Sequence, residues 1–300
     1  MPTLWSPART CGQPFYDDIE AADFAESSLG TVTAVPVEHQ AHPLLLLMPN
    51  ERIEANANVN GAEIYYEMDG AGEPLLLLHG GTGCHGDWVY AGREQLAAKY
   101  QLIAPDARGH GRSTNPLKTI THRQCALDTL ALLDHLGIEC CKAIGVSMGG
   151  NILLHTATMQ PNRIEAMVTV SATIFFPEQA RKIMAAVPGP EDQPALEWES
   201  MRKRHHLGDE QIRALWEWTR SLKDSSDDMN FTPADLSAIR ARTLIVQGDR
   251  DPLYPVEMSV EMYRAIPKSA LWIVPNGGHG PIFFDKASRF AEAAMAFLRG

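Results

Sequence analysis

The stretch Gly145-Val146-Ser147-Met148-Gly149 ends an apolar, strand-like run that begins at Cys141 and opens a helix-like run that extends to Met159. A serine at such a tight strand-to-helix turn has its hydroxyl exposed above the end of the strand, and the flanking glycines avoid a clash in the crowded bend. The stretch therefore predicts that Ser147 is a nucleophile. Because Gly-x-Ser-x-Gly also occurs by chance, this interpretation depends on partner residues elsewhere in the chain.

Two later loops contain residue types that could activate this serine. Asp249 and Asp251 follow the apolar run Thr243–Val246, and His279 lies in the glycine-rich loop after the next apolar run. A serine nucleophile needs a histidine base, and the histidine needs a carboxylate that fixes its tautomer. The order Ser…Asp…His accompanies this kind of turn. We predict catalytic roles for Ser147, Asp251 and His279, with Asp249 as the alternative carboxylate.

A third loop could stabilise the negative charge that develops on an attacked carbonyl oxygen. His79-Gly80-Gly81-Thr82-Gly83 follows the apolar run Leu75–Leu78, and its glycines allow the backbone to approach a ligand closely. We predict an oxyanion hole formed by the backbone N–H groups of Gly81 and Met148, with Gly80 as the alternative to Gly81.

Most of the chain alternates between strand-like and helix-like runs, which predicts an α/β fold with a mostly parallel sheet covered by helices on both sides. The first strands are expected to form a hairpin that turns at Asn60-Gly61. Residues 1–53 are rich in Pro, Ala, Glu and Asp and have little periodicity. We interpret them as an N-terminal extension that is partly disordered.

One segment breaks the alternation. Phe176 to Asp235 has helical periodicity and no strand-like run, which predicts a helical insertion over the carboxyl edge of the sheet, where open α/β sheets bind ligands. The tryptophans of the insertion either contact a substrate or pack its own small core. We name four candidate substrate contacts. Two lie in or just after the glycine loop, Gly80 and Trp88, and two lie in the insertion, Trp198 and Trp216.

Composition and charge exclude some classes of function. The 300-residue chain carries a net charge of −11, which disfavours binding to a phosphate backbone. No apolar run approaches the roughly 18 residues that a membrane span requires. The five cysteines are odd in number and form no disulfide framework, and the start of the chain lacks a secretory signal pattern. We predict a cytoplasmic protein with a small-molecule substrate and without nucleic-acid or membrane partners, of unknown oligomeric state.

Together these motifs resemble the serine α/β-hydrolase superfamily, in particular small esterases, enol-lactonases and cofactor-free haloperoxidases. The resemblance rests on five stretches: His79-Gly80-Gly81, Asp106–Ser113, Gly145–Gly149, Gly248–Asp251 and Gly278-His279. It implies an α/β-hydrolase fold with a roughly eight-stranded sheet, a core at residues 54–175 and 236–300, and a lid at residues 176–235. It also implies a Ser-His-Asp triad in which Asp251 is the acid.

A rival hypothesis comes from the same glycine loop. Gly81-Thr82-Gly83-Cys84-His85-Gly86 fits the G-x-G-x-x-G pattern of dinucleotide-binding oxidoreductases, with Asp106 at the spacing of a ribose-binding acid. A phosphate cradle needs a helix that begins within the glycines, whereas we expect this helix to begin at Asp87. The adjacent pair His205-His206 is no better as a metal site, because neighbouring side chains on a helix point in different directions.

We therefore predict hydrolysis of a small carboxylic ester or lactone through an acyl-enzyme, with no metal and no cofactor. C–C bond hydrolysis and perhydrolysis use the same triad, so the motifs leave both open. They also leave open a non-catalytic ligand receptor that keeps the triad on the same fold.

Overall fold

The computed structural model describes residues 52–300, in which eight strands form one sheet. The sheet has the order β1-β2-β4-β3-β5-β6-β7-β8, and its strands are β1 (Ile53–Val59), β2 (Ala62–Asp69), β3 (Glu73–Leu78), β4 (Tyr100–Pro105), β5 (Cys141–Val146), β6 (Ile164–Val170), β7 (Arg242–Gly248) and β8 (Ser269–Val274). β1 and β2 are antiparallel to their neighbours, and the other strands pair in parallel. The predicted α/β fold with a mostly parallel sheet is confirmed.

The predicted N-terminal extension, residues 1–53, lies outside the described residues except for its last two. Of these, Ile53 is the first residue of β1 rather than part of an extension. β1 pairs with β2 through a two-residue turn, with Val59 opposite Ala62. Asn60 and the glycine after it both have positive φ, as the favoured hairpin turn requires.

Helices cover both faces of the sheet. They are α1 (Arg93–Ala97), α2 (His122–His135), α3 (Met148–Met159), α4 (Glu178–Ala186), α5 (Ala195–Arg204), α6 (Asp209–Ser221), α7 (Pro233–Ser237), α8 (Val256–Ala265) and α9 (Ala287–Arg299). The helix expected from Asp87 is instead a 3₁₀ helix, His85–Ala91, followed by the short α1. Gly92 has a φ of 83° and interrupts the helical path between them.

The central strands are apolar along their whole length because both of their faces are buried. In β3, Leu76 and Leu78 belong to one hydrophobic cluster, whereas Leu75 and Leu77 belong to the other. Successive side chains of a strand point to opposite faces, so a continuous leucine run fits a strand that is covered on both sides.

The segment between β6 and β7 is the helical insertion predicted from the sequence, and it contains α4 to α7. Its one described strand-like contact is an isolated bridge between Phe175 and Asn230. A separate hydrophobic cluster forms within it, from Met201, Ile212, Leu215 and Trp216. Within residues 52–300, none of the helices has the length and apolar character that crossing a membrane would demand.

Candidate active site

Ser147 lies at the junction of β5 and α3 in a strained backbone conformation, with φ 51° and ψ −113°. Such conformations are rare in residues other than glycine and cluster at functional sites. The glycines on either side of Ser147 are required because the bend leaves no room for a side chain at these positions. A Cβ on Gly149 would lie 2.1 Å from the carbonyl oxygen of Leu78, and one on Gly145 would lie 2.4 Å from the carbonyl oxygen of Gly149. Because these positions carry no side chain, the start of α3 can pack directly against the end of β3.

The structure brings Ser147, His279 and Asp251 together in one hydrogen-bonded chain. Nε2 of His279 lies 2.9 Å from Oγ of Ser147, and Nδ1 of His279 lies 2.9 Å from Oδ2 of Asp251. An ionised carboxylate can only accept, so Nδ1 carries the imidazole proton and Nε2 is left to accept the serine proton. This tautomer is the one that a general base for Ser147 requires.

The carboxylate of Asp251 is buried and fully bonded. Its Oδ1 accepts hydrogen bonds from the backbone N–H groups of Leu253 at 2.8 Å and Tyr254 at 3.2 Å. Burial opposes ionisation, but the charge and hydrogen bond of His279 and these backbone donors outweigh it and hold the pKa of Asp251 below its ordinary value. Asp249, the alternative acid, is exposed and is not part of this chain of bonds.

The loops after β7 and β8 meet directly, which explains why residues so distant in sequence converge. The N–H of Arg250 donates to the carbonyl of Gly277 at 2.8 Å, and the N–H of Asp249 donates to Val274 at 3.2 Å. The N–H of Gly280 also donates to Oγ of Ser171, at the end of β6, at 3.0 Å. The histidine loop is therefore anchored on both sides of His279.

The predicted oxyanion donors belong to the loop after β3 and to the start of α3, which approach each other where Gly149 lies against Leu78 and His79. Met148 is the first residue of α3, and the first N–H groups of a helix have no partner inside it. The loop turns tightly, since the N–H of Gly83 donates to the carbonyl of Gly80 at 3.1 Å. Trp218 covers it, and the ring comes within 3.4 Å of the position that a Cβ on Gly81 would occupy.

The candidate tryptophans occupy three different environments. Trp88 is only 2% exposed and packs in the hydrophobic cluster that contains Leu75 and Leu77, and its role as a substrate contact stays a prediction. Trp198 and Trp216 pack edge to face, with ring centroids 4.5 Å apart, in the small cluster of the insertion. Trp218, which the sequence interpretation did not select, is the tryptophan that reaches the glycine loop. Trp216 and Trp218 are two positions apart on α6, and side chains at that spacing on a helix face different directions. The spacing alone therefore indicates that the two rings have different surroundings.

Hydrogen bonds attach the insertion to the glycine loop and to the loop that follows β4. Nδ1 of His205 accepts from the N–H of Gly111 at 2.9 Å, and its Nε2 bonds to the carbonyl oxygen of Thr82 at 3.0 Å. Burial lowers the pKa of His205 to about 4, so the imidazole is neutral and makes both bonds. Both ring nitrogens of His205 are therefore engaged in hydrogen bonds.

One group among the described residues has the spacing of metal ligands, namely Cys84, His85 and Asp106. Both nitrogens of His85 are already engaged, Nδ1 by Asp106 at 2.8 Å and Nε2 by Glu67 at 3.1 Å. Burial raises the pKa of the Cys84 thiol, which disfavours the thiolate that a metal would need. We therefore assign the group as a buried ion-pair cluster. Asp106 is fully buried within it and is not placed to bind a ribose.

Comparison with known proteins identifies the fold family. The sequence model of the alpha/beta hydrolase family matches residues 75–293, which is more than half of the chain. This chain belongs to the alpha/beta hydrolase family. The resemblance inferred from the motifs is thereby confirmed, and the match includes the positions of Ser147, Asp251 and His279.

The relatives of this alpha/beta hydrolase are named for different activities. The pimeloyl-[acyl-carrier protein] methyl ester esterase of Nitrosomonas europaea is 25% identical over 252 residues, which are 73% of this chain and 94% of the esterase. The dihydrolipoyllysine-residue acetyltransferase component of the acetoin cleaving system of Pseudomonas putida is 26% identical over 250 residues, or 78% of this chain. The chain spans 66% of that relative's length.

Among solved structures, a meta-cleavage product hydrolase of Pseudomonas fluorescens superposes on this alpha/beta hydrolase with a TM-score of 0.69 and 21% sequence identity. The superposition covers 82% of this chain and 97% of that structure. At this level of identity the likeness supports the fold and leaves the substrate open.

Proposed function

We propose that this alpha/beta hydrolase cleaves a small carboxylic ester or lactone through an acyl-enzyme on Ser147. The observation that carries the proposal is the chain of two 2.9 Å contacts from Ser147 through His279 to Asp251. It is supported by the strained backbone of the serine and by the relative named as a methyl ester esterase.

The chemistry follows from the tautomer of His279. Its Nε2 takes the Ser147 proton as Oγ attacks the carbonyl carbon, and the carboxylate of Asp251 stabilises the resulting imidazolium. The N–H groups of Gly81 and Met148 stabilise the oxyanion. The imidazolium then gives its proton to the leaving alcohol, and water repeats both steps to release the acid.

In this proposal the helical insertion, residues 176–235, acts as a lid. Support comes from the contact of Trp218 with the position above Gly81 and from the bonds of His205 to Thr82 and Gly111. Because the aromatic ring lies against the oxyanion loop, we propose that an apolar acyl or alcohol group is bound there. The cytoplasmic location inferred from the cysteines stays a prediction.

A panel of p-nitrophenyl esters and lactones tests the proposal on the wild type, Ser147→Ala and Ser237→Ala. We expect Ser147→Ala to lose at least about 10³-fold in kcat. Ser237→Ala is the matched control, because its hydroxyl bonds only locally to Ala234 at the surface, and it should keep full activity. Covalent labelling of Ser147 by a fluorophosphonate without turnover of any ester or lactone would argue instead for another reaction on the same triad or for a receptor. Equal turnover by Ser147→Ala and the wild type would refute the proposal.

A further inference from the structure

Gln247 follows the apolar residues Leu244–Val246 of β7 and lies two positions before the loop that carries Asp251. Its side chain is fully buried, with 0% exposure. A buried amide is costly unless its donors and acceptor are all hydrogen-bonded. Its partners therefore indicate what the glutamine does at this position.

Every polar atom of the Gln247 side chain has a defined partner. Nε2 lies 2.8 Å from Oδ2 of Asp251 and 2.9 Å from the carbonyl oxygen of Tyr254. Oε1 accepts a hydrogen bond from Oγ of Ser259 at 3.3 Å. The two groups that face Nε2 can only accept, because one is a carbonyl and the other an ionised carboxylate. The orientation of the amide is therefore determined by its surroundings.

The oxygen that Gln247 contacts is the one that His279 uses. Oδ2 of Asp251 receives Nδ1–H of His279 at 2.9 Å and Nε2–H of Gln247 at 2.8 Å. The other oxygen, Oδ1, is held by two backbone N–H groups. The four acceptor positions of the carboxylate are thus filled, and Gln247 supplies a second side-chain donor to the oxygen facing the imidazole.

We propose that Gln247 is a positioning residue that fixes the plane of the Asp251 carboxylate and shares its Oδ2 with His279. The inference rests on the proposed function, since it assigns Gln247 a role in orienting the base of that triad. Gln247 acts through Asp251 and does not touch the substrate. Ser259 and Tyr254 in turn hold the amide so that its NH₂ group faces the carboxylate.

Two substitutions distinguish this role from simple packing. Gln247→Met keeps the length and volume of the side chain but removes the donor. Gln247→Glu keeps the shape but places carboxylate oxygens against Asp251 Oδ2 and the Tyr254 carbonyl, where like charges repel. If Gln247 only filled space, methionine, which has a similar volume, would keep the wild-type kcat, whereas a buried carboxylate at this position is unfavourable in any case. We expect the glutamate variant to be the more impaired of the two.

The experiment measures kcat, KM and the pH dependence of kcat/KM on the best p-nitrophenyl ester for the wild type and both variants. We expect Gln247→Met to lower kcat by about tenfold to hundredfold, the range for losing a hydrogen bond to a charged group, with KM nearly unchanged. The acidic limb of the profile should move to higher pH, because Oδ2 without its second donor stabilises the imidazolium more strongly. Ser259→Ala, which loosens the amide, should show the same change to a smaller extent.

Thr169→Val is the matched control, because Thr169 is buried in the neighbouring strand β6 and its hydroxyl has no hydrogen-bond partner among the described residues. Its pH profile should match the wild type. An unmoved acidic limb in folded Gln247→Met, together with a kcat equal to that of the wild type, would overturn the inference.

Failure of the proposed function would be seen separately, as an inactive wild type in which Ser147 is not labelled. The role of Gln247 is then decided by the downfield proton NMR signal of the His279 Nδ1–H. We expect this signal to shift in Gln247→Met and to stay in place in Thr169→Val. An unshifted signal in Gln247→Met would overturn the inference on that branch.

Discussion

His205 of the insertion accepts a hydrogen bond from the backbone N–H of Gly111, with 2.9 Å between Nδ1 and the nitrogen. The same imidazole reaches the carbonyl oxygen of Thr82 through Nε2. One neutral side chain thus joins the insertion to two loops of the core. Protonation of Nδ1 would remove its acceptor and leave a charge in a buried site.

This arrangement predicts a pH-dependent contribution of His205 to stability. Burial lowers the pKa of His205 to about 4, whereas an unfolded histidine titrates near about 6.5. Between these values the unfolded state binds a proton that the folded state does not, so the free energy of unfolding falls by about 1.4 kcal/mol per pH unit as the pH drops. Below about pH 4 the loss levels off. His205→Leu should be less stable than the wild type at pH 7 and should decline less steeply between these pH values.

Urea unfolding at a series of pH values measures this difference directly. His206→Leu is the matched control, since His206 is the adjacent histidine and is exposed. Its pH dependence should follow the wild type. Parallel curves for His205→Leu and the wild type would contradict the prediction.

The turn at Ser147 predicts a steric test of the fold. Gly149→Ala would place a Cβ 2.1 Å from the Leu78 carbonyl oxygen, so β3 and α3 would have to separate. We expect a loss of about 1–3 kcal/mol in the free energy of unfolding, measured by denaturant unfolding. Gly278→Ala is the control, because a Cβ there has nothing within 4 Å, and it should change stability by less than about 0.5 kcal/mol. Equal stability of the two variants would count against the close approach at Gly149.

Two tryptophans of the insertion predict separate effects, one on substrate binding and one on stability. Trp218→Ala removes the ring above Gly81, and we expect KM for an apolar ester to rise by roughly tenfold, or ~1.4 kcal/mol of binding. Trp198→Ala instead removes a partly buried ring from the cluster with Trp216, which should lower stability by about 1–3 kcal/mol without changing KM. Steady-state kinetics and thermal unfolding of both variants separate the two cases. A KM that rises only in Trp198→Ala would reverse the assignment.

Much of this architecture could be predicted because local sequence and tertiary position agree. The leucine run of β3, the turn at Asn60-Gly61 and the glycines around Ser147 each have one good solution in a buried parallel sheet. The contact partner of Asp251 was harder to foresee. Gln247 stands out in the sequence only as a polar residue after the apolar run Leu244–Val246, and nothing in its sequence neighbours specifies which buried atoms it contacts.

The surroundings of the tryptophans in the insertion could not be predicted from the sequence. Composition and periodicity indicated that the insertion carries aromatic side chains near the site, but not which of them face inwards to its own cluster. That choice depends on how α5 and α6 pack, and the packing places Trp216 in the cluster and Trp218 over the loop. The roles of Trp198 and Trp216 as substrate contacts stay predictions, and the sequence did not indicate that Trp218 lies over the glycine loop.

The ion-pair cluster around His85 predicts a stability plateau in mildly acidic solution. Burial opposes the charge on His85, but its hydrogen bonds to Asp106 and Glu67 outweigh burial and raise its pKa to about 9. Glu67 is likewise buried, and the bond from His85 with the charge of Arg93 lowers its pKa to about 2. The stability due to the raised His85 pKa is complete below about pH 6.5 and is lost as the pH rises through about 9. The part due to Glu67 is complete above about pH 4.5 and is lost as the pH falls toward 2.

The difference in unfolding free energy between the wild type and His85→Gln should therefore be largest between about pH 4.5 and 6.5. We expect it to reach about 3 kcal/mol, because removing one member of a buried ion pair leaves the other uncompensated. It should shrink steadily between pH 7 and about pH 10, as the wild-type imidazole loses its proton. His135→Gln, at the exposed end of α2, controls for the substitution and should show no such pH dependence. A difference that stays constant from pH 5 to about pH 10 would mean that His85 is neutral in the folded protein.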